Sequence, residues 1–368
     1  MITTSLVSSR TAATAHEDAM LPAWLDRAAY PFASHVVALN PGRMHYVDEG
    51  HGPTVLFVHG TPTWSFEYRH LIRGLAGRAR VIAPDHFGFG LSDRPAHFAY
   101  TPDAHAAALR EFVERLDLRD ITLVVHDYGG PIGLPLALDA DSRVSRVVLL
   151  NTWMWPFDGD PDMQKKGRIA GGALGRWMYE HLNVSLRVVM PSAYGDRRKL
   201  TPAIRRQYLE VFTDKAARVQ VLHALARALN GSRDYYARLW QDAGKLTRFP
   251  TLIVWGLKDS AFKPHQLAKW RALLPQATVV ELRDAGHWPH EEEPDQHAAS
   301  VAQSADFISR YQHFAGREWD SSEITNAWAA GLWVRLFDAK QEMVEGGGPQ
   351  LDRLAREIDE RLDRAALD

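Results

Sequence analysis

The chain has 368 residues, of which 46% are hydrophobic and 24% are charged, a composition typical of a globular protein with a sizeable core. Its formal net charge is −2, so no overall field attracts it to nucleic acid or to anionic lipid. It has no cysteine, which excludes disulfides, thiolate metal sites and a cysteine nucleophile and fits a reducing compartment. No apolar run approaches the ~20 residues of a membrane span. We therefore expect a cytoplasmic protein that binds neither nucleic acid nor membranes.

The first part of the chain predicts an N-terminal arm followed by an antiparallel hairpin. Residues 1–30 begin with a small and polar segment, without the apolar stretch of a secretion signal, and we assign them to a flexible arm. Two apolar segments, 35–39 and 44–50, are separated by Asn-Pro-Gly, which is typical of a tight connection between antiparallel strands.

Six further segments are rich in Val, Ile and Leu and lack polar alternation, as expected of strands that are covered on both faces. They are VLFVHG (55–60), RVIAPD (80–85), ITLVVHD (121–127), VSRVVLLN (144–151), TLIVWG (251–256) and TVVELRDAGH (278–287). Helical patterns separate them, for example at residues 101–118. The alternation predicts an α/β fold with a mostly parallel eight-stranded sheet that is flanked by helices.

This alternation stops after Asn151, and the next core-like strand begins only at Thr251. A structureless loop of this length is uncommon inside a compact domain, and the segment has helical patterns rich in arginine and aromatic residues. We therefore predict a helical lid (cap) at residues 153–247, inserted between the two parts of a core domain at 31–152 and 248–312.

Residues 313–368 predict a C-terminal helical extension. Its last helix carries four apolar residues on one face, Leu351, Leu354, Ile358 and Leu362. We expect this face to pack either on its own domain or on a second copy of the chain, as a homodimer.

The motif VVHDYGG, residues 124–130, places Asp127 at the end of a buried strand and before two glycines. A strand that runs through such a turn into a helix has the shape of a nucleophile elbow, which raises its central side chain at the carboxyl edge of a parallel sheet. The following helix start provides a free N–H, that of Tyr128, for an oxyanion. The alternative is an aspartate that only caps this helix.

Two further residues favour the nucleophile over the cap. His287 follows the last predicted strand on a glycine turn, where it can act as a general base. Asp259 follows the preceding strand and can hold one tautomer of His287, although an ordinary turn aspartate is the alternative. We expect the nearby His290 and His297 to be solvated surface residues.

The third predicted strand leads into HGTPTW, where the N–H of Thr61 is the second expected oxyanion donor and Pro62 favours a rigid or cis turn. Asp85, in the loop after the fourth strand, is expected to hold that turn. No metal cluster or nucleotide loop is evident, so we predict no metal and no cofactor.

Six segments together resemble the haloalkane dehalogenases of the α/β-hydrolase superfamily, a group that grades into the epoxide hydrolases. They are HGTPTW, DHFGFGLSDRP, HDYGGPIGL, LLNTWMWP, IVWGLKDSAFKP and DAGHWPHEEEPD. The resemblance covers roughly residues 30 to 310 and implies an α/β-hydrolase fold. It implies that Asp127 displaces a halide from a small apolar electrophilic substrate and that His287 activates water to hydrolyse the alkyl ester. Asn151 stands where another branch carries a glutamate acid, which agrees with Asp259 as the acid.

The chain departs from the dehalogenase pattern at the leaving-group site. That family usually binds the halide with a tryptophan directly after the nucleophile and with an asparagine or a second tryptophan, whereas this chain has Tyr128 and Thr61. The hydroxyls of Tyr128 and Thr61 can donate, but with a different reach. Tryptophans elsewhere are candidates to compensate, with core packing as the alternative for each: Trp64, Trp153, Trp155 and Trp177.

Three other functions stay open. Epoxide hydrolases need lid tyrosines that protonate the opening oxygen, and the lid offers Tyr179, Tyr194, Tyr208, Tyr235 and Tyr236, of which we select Tyr179 as a pocket residue. Relatives in hydrocarbon biosynthesis process β-lactones with the same aspartate. A ligand-binding relative without turnover is the alternative from another class, although it would not need all of Asp127, Asp259 and His287.

Overall fold

A computed structural model describes residues 21–294. Eight strands form one sheet in the order β1-β2-β4-β3-β5-β6-β7-β8. Their bounds are β1 Ser34–Ala38, β2 Arg43–Glu49, β3 Thr54–Val58, β4 Arg80–Pro84, β5 Ile121–Asp127, β6 Val144–Thr152, β7 Thr251–Gly256 and β8 Thr278–Leu282. Strand β2 runs antiparallel to both β1 and β4, and the pairs from β4 to β8 are parallel. The predicted eight-stranded, mostly parallel sheet is confirmed.

The burial of the strands explains why their sequences are so apolar. Every residue of β5 and of β7 is buried, because helices cover both faces of the sheet centre. The edge strands β1 and β8 keep partly exposed residues. The hairpin connection at Asn40-Pro41 contains a cis peptide bond.

The α-helices of the described residues are α1 Arg69–Leu75, α2 Pro102–Arg115, α3 Gly129–Gly133, α4 Pro135–Leu138, α5 Pro161–Gly171, α6 Ala173–Leu182, α7 Met190–Ala193, α8 Pro202–Leu209, α9 Lys215–Ala217, α10 Ala224–Gly231, α11 Arg233–Gln241, α12 Pro264–Leu273 and α13 Pro289–Glu292. Short 3-10 helices lie at Ser65–Tyr68, Arg197–Lys199, Glu210–Phe212 and Ala243–Arg248, and π-helical turns at Ser185–Val189 and Arg218–His223. Helix α2 falls inside the segment 101–118 that the sequence pattern predicts as helical.

Helices α5 to α11 all lie between the end of β6 and the start of β7, and no strand occurs in this segment. We call residues 153–250 the helical insertion. It returns the chain to the sheet beside β6, since β7 pairs with β6 in parallel. No helix within residues 21–294 is long and apolar enough to cross a membrane.

The predicted flexible arm, residues 1–30, extends too far along the chain, because its last residues are packed. Leu25 and Tyr30 are buried, and the Tyr30 hydroxyl is hydrogen-bonded to Ser65. Residues 21–30 therefore pack on the core, because these two apolar side chains find partners far away in sequence. The rest of the arm, the predicted extension at 313–368 with its dimer face, and the last part of the predicted core lie outside the described residues.

Candidate active site

Asp127 is the last residue of β5, and its backbone adopts a φ of +49°, in the left-handed region that non-glycine residues rarely occupy. The turn is possible because glycines surround it. A Cβ atom on Gly60 would lie 2.4 Å from the Cβ of Asp127, and one on Gly129 would lie 2.0 Å from the carbonyl oxygen of Val58. This backbone is strained and closely packed, as expected of a turn that presents a nucleophile.

The carboxylate of Asp127 is held from the loop that follows β3. The backbone N–H of Thr61 donates to Oδ1 at 2.8 Å, and the Thr61-Pro62 peptide bond is cis. The hydroxyl of Thr152 donates to the backbone carbonyl of Asp127 at 2.6 Å. The N–H of Tyr128, at the start of α3, is the second expected donor. The carboxylate is thus oriented before any substrate arrives.

His287 lies between the two carboxylates that the sequence assigned to it. Its Nδ1 is 2.8 Å from Oδ2 of Asp259, and its Nε2 is 3.4 Å from Oδ2 of Asp127. The three residues follow β5, β7 and β8, whose carboxyl ends meet at one edge of the sheet. All three are buried. The structure therefore brings the predicted triad together.

Asp259 is oriented by Asn151, a role that the sequence did not suggest. The side-chain amide of Asn151 donates to Oδ2 of Asp259 at 2.8 Å, and the N–H of Ala261 donates to its Oδ1 at 2.6 Å. Asn151 is itself fixed, because its Oδ1 accepts the N–H of Gly256 at 2.8 Å. An aspartate with these donors is well placed to accept the Nδ1 hydrogen of His287.

The charges around His287 control its protonation. Burial opposes the charged imidazolium, but the negative charges of Asp259 and Asp127 outweigh it and raise the pKa of His287 to about 10. In the free protein His287 therefore forms an ion pair with the carboxylate of Asp127 at neutral pH. Neutralising Asp127 removes one of the two charges that hold this proton.

The backbone of His287 is fixed on both sides. Its N–H donates to the carbonyl of Ala193, in the helical insertion, at 2.8 Å. Its carbonyl lies 2.8 Å from Nε2 of His126, which must donate because a carbonyl oxygen only accepts. The other ring nitrogen of His126 is 3.2 Å from Oε1 of Glu67. His126, the residue before the candidate nucleophile, thus links Glu67 to the main chain of His287.

Glu67, His126 and His290 bring a carboxylate and two imidazoles within 4.8 Å of one another. His290 is fully buried, so the expectation that it is a solvated surface residue is wrong; it packs under the Tyr68 ring, with the ring centroids 4.9 Å apart. The carboxylate of Glu67 also accepts the hydroxyl of Thr63. Hydrogen bonds to Thr63 and to the His287 carbonyl occupy Glu67 and His126, and Nε2 of His290 lies 3.7 Å from Oε1 of Glu67. We assign no metal to this cluster.

Three of the tryptophans proposed for the leaving group lie elsewhere. The indole N–H of Trp64 donates to the carbonyl of Gln207 at 3.3 Å. Trp155 is packed between Trp240 and Trp270, with ring centroids 5.2 Å and 5.0 Å away. Trp177 is 51% exposed on α6. Packing or solvent explains each of them, so none of the three remains a leaving-group candidate.

Trp153 and Tyr179 differ from these three. Trp153 is fully buried, its ring lies edge-on to that of Tyr128 at 4.7 Å, and its Nε1 has no hydrogen-bond partner among the described residues. Burial, and next the charge of Asp127, raises the pKa of Tyr179 to about 12. The hydroxyl of Tyr128 instead donates to the carbonyl of Leu225 at 2.7 Å. The Tyr128 hydroxyl, which the sequence left open as a donor, is therefore occupied within the protein.

Most other tyrosines of the insertion are occupied. The hydroxyls of Tyr208, Tyr235 and Tyr236 donate to Glu291, Pro131 and Ala228. Tyr194 stacks on Trp288, with ring centroids 5.1 Å apart. Asp85 holds its loop as expected, accepting the N–H groups of Leu91 and Ser65, both at 2.9 Å.

Comparisons with known proteins identify the family of the chain. A family model described as the alpha/beta hydrolase fold matches residues 53–294. Haloalkane dehalogenase 2 of Mycobacterium tuberculosis is 38% identical over 278 residues, which cover 75% of this chain and 96% of the relative. Cis-3-alkyl-4-alkyloxetan-2-one decarboxylase of Shewanella oneidensis is 34% identical over 281 residues, covering 72% and 86%.

Among solved structures, a loop variant of a haloalkane dehalogenase from Bradyrhizobium elkanii superposes with a TM-score of 0.68 at 22% identity, over 77% of this chain and 99% of that chain. A haloalkane dehalogenase from Agrobacterium tumefaciens gives a TM-score of 0.66 at 24% identity, over 74% and 96%. At these identities the superpositions show the fold and nothing further. The family match and the sequence relatives together show that the chain belongs to the α/β-hydrolase family, in its haloalkane dehalogenase-like group.

Proposed function

We propose that this hydrolase cleaves a small apolar alkyl halide through a covalent alkyl ester on Asp127. The observation that carries the proposal is the position of the Asp127 carboxylate, whose Oδ1 accepts the Thr61 N–H at 2.8 Å and whose Oδ2 is 3.4 Å from His287 Nε2. A carboxylate is a weak base and a usable nucleophile at saturated carbon, and the ester it forms is still hydrolysable.

In the first step, an oxygen of Asp127 forms a bond to the carbon that carries the halogen. The carbon–halogen bond breaks, and the halide leaves with the bonding electrons. The product is a neutral ester in place of a carboxylate, so the negative charge moves from Asp127 to the departing halide.

The loss of this charge prepares the second step. Because Asp127 contributes to the raised pKa of His287, forming the ester lowers that pKa and releases the proton from Nε2. His287 then accepts a proton from water, which attacks the ester carbonyl of Asp127. The N–H groups of Thr61 and Tyr128 stabilise the resulting oxyanion. When this intermediate collapses, its hydroxyl proton passes to the departing alkoxide, which leaves as the alcohol. The Asp127 carboxylate and the protonated His287 are then restored. Because Nε2 released its first proton to solvent, one halide and one proton are formed per water consumed.

We assign the halide contact to the indole N–H of Trp153. This group is buried and has no hydrogen-bond partner among the described residues, and a buried donor left unpaired costs about 1–3 kcal/mol. A halide beside Tyr128 would satisfy it, since the Trp153 ring is edge-on to Tyr128. In this proposal Trp153 replaces the tryptophan that dehalogenases carry directly after the nucleophile.

A second candidate function is attack on a β-lactone. It is favoured by the tyrosine at position 128, whose hydroxyl is committed to Leu225, and by the relatives named as oxetanone decarboxylases. Epoxide opening depends on Tyr179. Burial and, to a smaller extent, the charge of Asp127 raise the pKa of both Tyr179 and Tyr236, but the hydroxyl of Tyr236 already donates to Ala228. Both alternatives would use Asp127 and need no halide site.

The experiment is to incubate the purified full chain separately with a bromoalkane, a cis-disubstituted β-lactone and a terminal epoxide. The proposal predicts release of bromide and alcohol in equal amounts. Asp127→Asn is the matched control, because it removes the nucleophile and leaves the size of the side chain nearly unchanged. Carbon dioxide from the lactone without bromide from the bromoalkane would replace the proposal with the second candidate, and diol formation alone would replace it with the third.

A further inference from the structure

An apolar surface is concentrated on one part of the helical insertion. Seven large apolar side chains of the described residues are strongly exposed, and six of them fall between residues 169 and 189. We call these six the exposed apolar face: Ile169, Leu174, Trp177, Leu182, Val188 and Val189, with exposed fractions from 45% to 61%. The seventh, Val36, lies in the edge strand β1.

Helix α6 exposes large apolar side chains to solvent instead of packing them on the core. Leu174 and Trp177 are three residues apart and therefore lie on the same side of the helix, and Leu182 is its last residue. The only buried residue of α6 is Gly175. A surface helix normally turns its apolar stripe toward the core, so α6 directs outward the side that would otherwise be covered.

The wider stretch of chain that contains this face, residues 165–206, is basic. Residues 165–206 contain ten Lys and Arg residues and two acidic residues, a formal charge of +8 in a chain whose total is −2. Arg168, Arg176 and Arg187 each directly precede a residue of the exposed apolar face, and all three are exposed. None of the three forms a salt bridge with the described residues. The total charge of the chain conceals this local concentration.

We propose that the exposed apolar face docks on an anionic lipid surface. An exposed tryptophan with aliphatic neighbours and flanking arginines is the composition of segments that lie in the membrane interface. The charge favours lipid over a second copy of the chain, because two copies meeting at this face would bring like charges together. The sequence-based expectation of no membrane partner used the net charge of the whole chain and the lack of an apolar run long enough to span a membrane. Neither observation tests whether a surface segment can bind at the membrane interface.

The test is flotation of the full chain with vesicles of phosphatidylcholine alone and with vesicles that also contain phosphatidylglycerol. We expect binding to the anionic vesicles, weakened by added salt. The double variant Arg168→Gln/Arg176→Gln should lower the partition coefficient about 30-fold. Leu174→Ser/Trp177→Ser should lower it about tenfold or more.

Matched controls separate this face from general surface effects. Val36→Ser removes an exposed apolar residue elsewhere, and Arg78→Gln/Arg283→Gln removes two exposed arginines outside the insertion. Both should bind like the parent chain, and thermal unfolding and hydrolysis of a water-soluble substrate should be unchanged in every variant.

Three results would overturn the proposal. The first is flotation of the folded full chain with neither kind of vesicle, or equally with both. The second is that Arg168→Gln/Arg176→Gln and Leu174→Ser/Trp177→Ser bind the anionic vesicles as strongly as their matched controls. A concentration-dependent dimer in sedimentation velocity that Leu174→Ser/Trp177→Ser abolishes, without vesicle binding, would assign the face to a second copy instead.

Discussion

Gly60 is the position where one added methyl group should disable the candidate site without removing any of its functional groups. Its missing side chain leaves room for Asp127: an added Cβ would lie 2.4 Å from both the Cβ and the Oδ1 of that residue. Ordinary contacts of this kind begin at 3.4 Å, so Asp127 or the loop at Thr61 must move by about 1 Å. A displacement of this size costs about 100-fold in rate when it affects a reacting group.

We therefore expect Gly60→Ala to lower the rate of ester formation about 100-fold, and to cost about 1–3 kcal/mol of stability as an overpacked site. Stopped-flow measurement of bromide release in a single turnover gives the rate, and urea unfolding gives the stability. Gly77→Ala is the matched control, since its Cβ would meet nothing within 4 Å.

Bromide release by folded Gly60→Ala within a few-fold of the parent chain would contradict this prediction. That result would mean that the close approach of the loop to Asp127 does not position the nucleophile. Equal losses in Gly60→Ala and Gly77→Ala would also refute it, because only Gly60 contacts the site.

Three further predictions concern neighbouring groups. Trp153→Phe keeps an aromatic ring and removes the N–H, so bromide release should fall about 100-fold. The smaller ring should also lower stability, because Trp153 is fully buried and a cavity remains. Trp155→Phe should lower stability in the same way but leave bromide release unchanged. His126→Asn removes the Nε2 donor to the His287 carbonyl. It should slow ester hydrolysis by about tenfold or more without slowing ester formation. Rapid-quench experiments should therefore show that the ester accumulates. The pKa of His287 is raised from 6.5 to about 10 in the folded protein. The protonated imidazole therefore stabilises the fold fully below pH 6.5, and this stabilisation is lost as pH rises through 10. Urea unfolding should show the free energy of unfolding falling over this pH range in the parent chain and not in His287→Gln.

The fold could be predicted from the sequence because its signals are local. The central strands are rich in Val, Ile and Leu, and the glycines at 129 and 130 mark the turn after β5. The order of Asp127, Asp259 and His287 along the chain then follows from three strand ends of one parallel sheet. None of these inferences needs knowledge of a distant contact.

The contacts that orient the site could not be predicted in this way. Asn151 and Asp259 are 108 positions apart, and nothing in the sequence near either residue indicates their hydrogen bond. His290 stands before three glutamates and therefore looks exposed, yet it is buried because Glu291 is paired with Arg69 at 2.7 Å inside the protein. The hydroxyl of Tyr128 looked available until its acceptor, the carbonyl of Leu225, came from the insertion.

The covalent ester on Asp127 can be observed directly in the intact mass of His287→Gln after incubation with a bromoalkane. Without the base, the ester should form and persist. The account predicts a mass gain of one alkyl group per chain, located by peptide mapping at Asp127, with one bromide released per ester. The double variant Asp127→Asn/His287→Gln should show no gain. A folded His287→Gln protein that releases bromide without a mass gain, or that carries the alkyl group on another residue, would contradict the account.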